Sequence, residues 1–283
     1  MQDSVQRLLF EHLDIRGALV RLGPSWEAMQ EGRGYAPAVA KVLGEMTAVT
    51  AIIAAQLKQP GRLTFQLRGD GPLSLLVIDC NESLEFRGMA RAEGLTDADL
   101  ALDQLWGHGQ LMLTLDLPQA KDPFQSFVPL EGQTIGQVFE HYLEQSEQQP
   151  SRLYLAASPQ GVTGLFLQAM PGSHDKDEDG WNRVQQLAAT LKPEELLGLD
   201  NETLLTRVFP EELIRLYDPR PVAYSCPEDW EKVRGMLRAI GKEEAESVLR
   251  EHGEILIRDD ICNREYRFDA AAIAELFAGP TLH

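Results

Sequence analysis

The sequence predicts an α+β fold: an N-terminal mixed strand-and-helix domain, a helical linker, and a small C-terminal domain of helices and a β-hairpin. Three observations lead there. Residues 61–90 alternate apolar and polar side chains in successive short runs. Residues 38–57 carry apolar side chains at three- and four-residue spacing. After Gly172 the pattern changes from strands to short helical stripes punctuated by proline. Runs of strands interrupted by a few helices, without regular strand–helix alternation, indicate α+β architecture.

In chain order, Asp14 to Leu22 reads as a strand and Ala38 to Leu57 as a helix, with Val39, Val42, Leu43, Met46, Val49, Ile53 and Leu57 recurring along it. A meander follows. Leu63, Phe65 and Leu67 alternate, then Leu73, Leu75 and Val77, then Leu84 and Phe86, with turns at Gly69-Asp70-Gly71-Pro72 and Asp79-Cys80-Asn81. Leu111 to Leu115 and Phe124 to Leu130 read as strands. Ile135, Val138, Phe139, Tyr142 and Leu143 form one helix face, and Arg152 to Ala157 and Gly164 to Met170 close the domain at 1–172.

The second zone, 173–220, opens on a polar acidic run through Asp175 and Asp179, the composition of a solvated hinge. Trp181, Val184, Leu187, Ala188 and Leu191 form a helical stripe. Leu196, Leu197, Leu204, Leu205 and Val208 mark two more short helices. Helices this short are not stable alone and need a surface to dock on. In the third zone, 221–283, one helix carries Trp230, Val233, Leu237 and Ile240, and another runs from Lys242 to Arg250. Ile255 and Ile257 alternate, as do Tyr266 and Phe268, on either side of a tight turn at 259–263, and Asp269 can cap a last helix. So small a core ordinarily needs a metal, a disulfide or a docking partner.

Composition narrows function. The formal net charge of −18 repels phosphate backbones and anionic lipid, so neither nucleic acid nor a membrane surface is expected as partner. The N-terminus lacks the basic-then-apolar order of a signal peptide, and the longest apolar stretch, near residues 48–57, is too short to span a bilayer. A cytoplasmic location is expected. The six histidines, His12, His108, His141, His174, His252 and His283, show no metal spacing. No nucleophilic elbow or His-Glu-x-x-His pair is present, so no catalytic residues are assigned and an enzyme such as a small hydrolase is the weakest reading. Gly69-Asp70-Gly71 is a turn and no phosphate loop, since neither a lysine nor a helix start follows.

The three cysteines are Cys80, Cys226 and Cys262. Cys80 lies at a strand end and reads as a buried or turn thiol. The other two have acidic companions, giving the frame Cys226-x-Glu228 … Asp259-x-x-Cys262. With cysteine at all four places this would be Cys-x-Cys … Cys-x-x-Cys, the donor set of a tetrahedral zinc site.

This frame and its surroundings resemble the redox-switch domain of the HslO family of heat-shock holdase chaperones. Tyr217-Asp218-Pro219-Arg220-Pro221-Val222 precedes the frame. Gly241-Lys242-Glu243-Glu244, Ser247-Val248-Leu249, Gly253-Glu254-Ile255 and Tyr266-Arg267-Phe268 follow family landmarks. Upstream, Gln66 to Pro72, Arg87-Gly88-Met89-Ala90-Arg91, Ser146-Glu147-Gln148 and Leu167 to Gly172 do the same. The resemblance implies an ATP-independent chaperone whose linker is metastable and whose C-terminal domain binds zinc. Oxidation would expel the zinc, form two disulfides, unfold that domain and the linker, and expose apolar surface to unfolded client proteins, with a homodimer as the assembly.

The chain departs from that pattern where Glu228 and Asp259 stand. Two disulfides are excluded within this domain. Zinc held by two thiolates and two carboxylates is chemically allowed. The leading expectation is instead a metal-free, redox-damped domain in which Arg258, Arg264 or Arg267 pairs with the carboxylates. Cys226 and Cys262 are either a surviving single-disulfide pair or two leftover structural thiols. The function expected is a stress-activated holdase with weakened zinc and redox control. The alternative is a constitutive protein-interaction module.

Overall fold

The computed structural model of the protein describes residues 2–94 and 100–278. Chain contacts divide it into two units, Met1–Ser225 and Cys226–His283; His283 lies outside the described residues.

In the first unit, β1 (Ser4–Phe10) and β2 (Ile15–Leu22) form a hairpin, followed by α1 (Pro24–Gln30) and the long α2 (Pro37–Gln56). The meander is β3 (Arg62–Arg68), β4 (Leu73–Cys80) and β5 (Glu85–Ala92). Then come α3 (Leu102–Trp106), β6 (Gln110–Asp116), β7 (Phe124–Val128), α4 (Ile135–Glu147), β8 (Ser151–Ser158) and β9 (Gly161–Ala169). The linker zone holds α5 (Ser173–Lys176), α6 (Gly180–Ala188), α7 (Pro193–Gly198) and α8 (Asn201–Val208), then β10 (Ile214–Leu216), β11 (Arg220–Pro221) and β12 (Ala223–Tyr224). One sheet runs β10-β1-β2-β9-β8, with β11 also paired to β1; the other runs β12-β5-β4-β3-β6-β7.

The first sheet is apolar on both faces, and this organises the unit. Along β2, Ala18, Val20 and Leu22 point into a core with α2 and the second sheet, where Phe65, Ile78 and Phe139 also lie. Ile15 and Leu19 point the other way, with Leu8, Phe10, Leu165 and Leu167, into a second core roofed by the linker residues Val184, Ala188, Leu196, Leu204 and Leu205. A strand covered on both faces reads as a continuous apolar run, as Ala18-Leu19-Val20 does. Gly17 lets the strands close up: a Cβ there would lie 2.5 Å from the Phe166 carbonyl oxygen.

By length and composition α2 is apolar enough to cross a membrane, and 78% of its most apolar window is buried in the fold. The apolar stretch is thus longer than the 48–57 read from the sequence. The excess is core packing between two sheets. The sequence reading also missed β1 and α1, and gave the linker only helices where β10 and β11 extend the first sheet. Strands of two or three residues carry no periodicity, and their conformation comes from pairing with β1.

The second unit comprises α9 (Trp230–Ile240), α10 (Lys242–His252), the hairpin β13 (Ile255–Asp259) and β14 (Arg264–Phe268), and α11 (Ala270–Phe277). Its own core is Val233, Leu237, Ala245, Ile255, Tyr266, Phe268 and Ile273.

Candidate redox-switch site

The hairpin register Asp259↔Arg264 leaves residues 260–263 as the turn, with Asn263 in the left-handed region at φ 49°. Asp259 shapes that turn: its Oδ1 accepts from the backbone N–H of Ile261 (3.0 Å) and of Cys262 (3.2 Å). An aspartate accepting from its own backbone two and three residues on is a turn-forming device. It fixes Cys262, which is buried.

The other side of the site is the segment entering α9. Asp229 caps that helix by accepting from Lys232 N–H (2.9 Å), and its own N–H donates to the hydroxyl of buried Tyr266 (3.1 Å). Trp230 stacks edge-on against Tyr266 and Phe268 at 4.8 and 5.7 Å between centroids. These contacts tether the segment 226–230 to the hairpin and bring Cys226 to Cys262. The two are joined as a disulfide with Cα atoms 5.6 Å apart, inside the usual range.

The carboxylates of the frame face elsewhere. Glu228 Oε2 accepts from Trp230 Nε1 (2.7 Å), and Oε1 stands 4.0 Å from Arg264 Nε. Of the three arginines proposed as partners, Arg264 faces Glu228. Arg258 pairs with Asp260 and Arg267 with Glu254 and Glu265. As arranged here these residues do not fit a zinc ion: both sulfurs are committed to each other, and Asp259 to its turn. Among the described residues no group of three or more His, Cys, Asp or Glu side chains converges. Trp230 and Tyr266 were read from the sequence only as helix and strand positions, and Asp229 not at all; the Asp-Trp helix start was the available signal.

Cys80 is buried, and burial together with the charge of Asp79 pushes its thiol up to about 12, so it stays protonated. The remaining feature is the underside of the linker. Buried Arg21, on β2, donates from Nη1 to the carbonyl of Leu196 (3.1 Å) and from Nε to Asn201 Oδ1. Asn201 in turn donates to Gln6 Oε1 (2.7 Å), and Tyr154 donates to the Gln185 carbonyl (3.0 Å). Arg183 joins the two ends of the linker through Asp177 (2.9 Å) and Glu212 (2.8 Å).

A family model described as Hsp33 protein matches residues 3–269. The chain belongs to the Hsp33 family. A 33 kDa chaperonin of Ectopseudomonas mendocina is 40% identical over 285 residues, covering 99% of this chain and 96% of the relative. That of Chromobacterium violaceum is 40% identical over 276 residues, covering 97% and 94%. A crystal structure of the 33 kDa chaperonin of Thermotoga maritima superposes with a TM-score of 0.80 at 22% identity over 98% of both chains, which shows the shared fold. The α+β fold and the family are those indicated by the sequence. Hsp33 proteins are chaperones and not enzymes, in keeping with the lack of any assigned catalytic residue.

Proposed function

We infer that this protein is an ATP-independent holdase of the cytoplasm that binds unfolded clients when its linker, together with the C-terminal unit, lets go. The observation that carries this reading is the second core. Val184, Ala188, Leu196, Leu204 and Leu205 cover Leu8, Phe10, Ile15, Leu19 and Leu167 of the first sheet. Undocking α6–α8 uncovers apolar surface on both partners, and contiguous apolar surface is what an unfolding chain adheres to. The short helices and their polar ties are the elements expected to open first under heat.

Redox control is narrowed to one pair, Cys226 and Cys262, and zinc control is weakened, because two of the four donors are carboxylates used for turn and helix-start contacts. A stoichiometric zinc content in the purified, reduced protein would contradict this. Light scattering of a thermally denaturing client tests the holdase reading. Suppression of scattering only after heat treatment is expected. Suppression by the untreated protein would indicate a constitutive interaction module, and none under heat, peroxide or reduction would defeat the chaperone reading. Sedimentation across a concentration series tests the homodimer.

A further inference from the structure

The strand β8 ends the first sheet, and part of its outer edge is open. Leu153 shows which groups point outward: its N–H donates to Glu140 Oε1 (2.7 Å), and its carbonyl oxygen is 2.6 Å from where a Cβ on Gly136 would sit. Outward-facing backbone groups recur every second residue in an antiparallel ladder, so Leu155 and Ala157 present theirs on the same side. There α4 no longer covers the edge. A groove of 530 Å³ runs along residues 153–157, walled by α2 and the start of α4 on one side and by Pro193 and Leu196 of α7 on the other.

The floor of this groove holds a carboxylate. Glu45, on α2, is 7% exposed and lines the groove. Lys41, one turn earlier, is the charge that acts on it. A carboxylate that lines the groove beside Val42, Leu105 and Leu196 is largely desolvated, and a cationic donor brought into the groove would pair with it.

We propose that the β8 edge and Glu45 together form a peptide-binding groove that takes one extended polypeptide segment by strand addition, with a lysine side chain of that segment reaching Glu45. Strand addition uses the outward N–H and C=O groups of Leu155 and Ala157, and it turns every second side chain of the guest toward α2. The lone carboxylate selects a basic side chain over an aliphatic one at that position. The inference rests on the holdase reading for its occupant, a segment of unfolded client, and adds a defined docking strand to the apolar surface under the linker.

The probes are two capped heptapeptides of valine with a central lysine or a central norleucine, offered to the full chain at pH 8. The lysine peptide is expected to slow exchange of the Leu155 and Ala157 amides while leaving Tyr154 and Ala156, already paired with β9, unchanged. Glu45→Gln is expected to weaken the lysine peptide by roughly tenfold or more and leave the norleucine peptide unaffected. Leu155→Pro removes one outward donor without breaking the ladder to β9 and is expected to abolish binding of both. Leu155→Ala, which keeps the donor, is expected to retain it and guards against a folding defect. Absence of peptide-dependent protection at Leu155 and Ala157 would overturn the proposal. So would equal affinity of Glu45→Gln for the lysine peptide, or protection that grows with protein concentration alone, which would mark a second copy as the occupant. Client scattering on the same samples separates the two readings: suppression without peptide binding sinks the groove alone, and peptide binding without suppression sinks the holdase alone.

Discussion

Glu45 is the residue where sequence pattern and physical chemistry conflict most. It occupies an inward position of α2, between Leu43 and Met46. Burial raises its carboxyl from the ordinary 4.5 to about 7, with Lys41 opposing weakly. A folded-state value above the unfolded one means that the native protein holds the proton between those two pH values. Stability contributed by this group is therefore highest below about 4.5 and is lost as pH rises to about 7. The loss is at most about 3 kcal/mol. Glu45→Gln is expected to raise the urea midpoint at pH 8 and flatten its decline between pH 5 and 7; an unchanged slope would contradict the burial argument. Cys80 shows burial acting on a thiol. Alkylation of the native, reduced protein is expected to label Cys226 and Cys262 and spare Cys80, as mass spectrometry of the peptides will show.

At the level of elements, the linker is held by side chains that the sheet supplies. Arg21 binds the end of α7 and the start of α8 from beneath, its guanidinium held below the ordinary arginine range by burial and supported by Asp200. Removing it leaves the Leu196 carbonyl and Asn201 without their partner, a loss on the order of 2–3 kcal/mol. Arg21→Met is expected to lower the temperature at which scattering suppression begins, while α2 and the second sheet keep their amide protection. If suppression instead requires the same heat treatment, the linker is not the gate. This division was partly legible from sequence. The stripes of α6–α8 and the proline stops announced short helices needing a surface; that β2 is covered on both faces was not read from its sequence. Arg21 was not legible, because an arginine in a strand ordinarily reads as solvent-facing. Nor were β10 and β11, which are strands only because β1 lies beside them. At the frame of four, the spacing found Cys226 and Cys262 and marked Glu228 and Asp259 as substitutions. It could not reveal that Asp259 spends its carboxylate on the turn that carries Cys262.

For the whole molecule, the decisive quantity is which redox state favours the folded C-terminal unit. In the pattern the family resemblance implies, reduced cysteines hold zinc and oxidation unfolds the domain. Here the Cys226–Cys262 bond sits inside a folded unit whose core, among the described residues, is seven buried apolar side chains. It closes a span with a sequence separation of 36, which in the loop-entropy account stabilises the fold by about 4 kcal/mol. For so small a core that is a large share of the total stability. Among the described residues no ligand set converges to replace the bond when it is reduced. The redox polarity is thus expected to be inverted: reductant loosens the unit and peroxide, by restoring the bond, tightens it. Amide exchange in β13 and β14 followed against temperature reads this directly. The reduced protein is expected to lose protection roughly 10 °C or more below the oxidised one, and Cys226→Ser should match the reduced protein with or without peroxide. Added zinc is expected to leave the reduced protein unchanged. If zinc restores the protection, the carboxylates swing in as ligands, and if the oxidised unit is the less protected one, the polarity is the family's own.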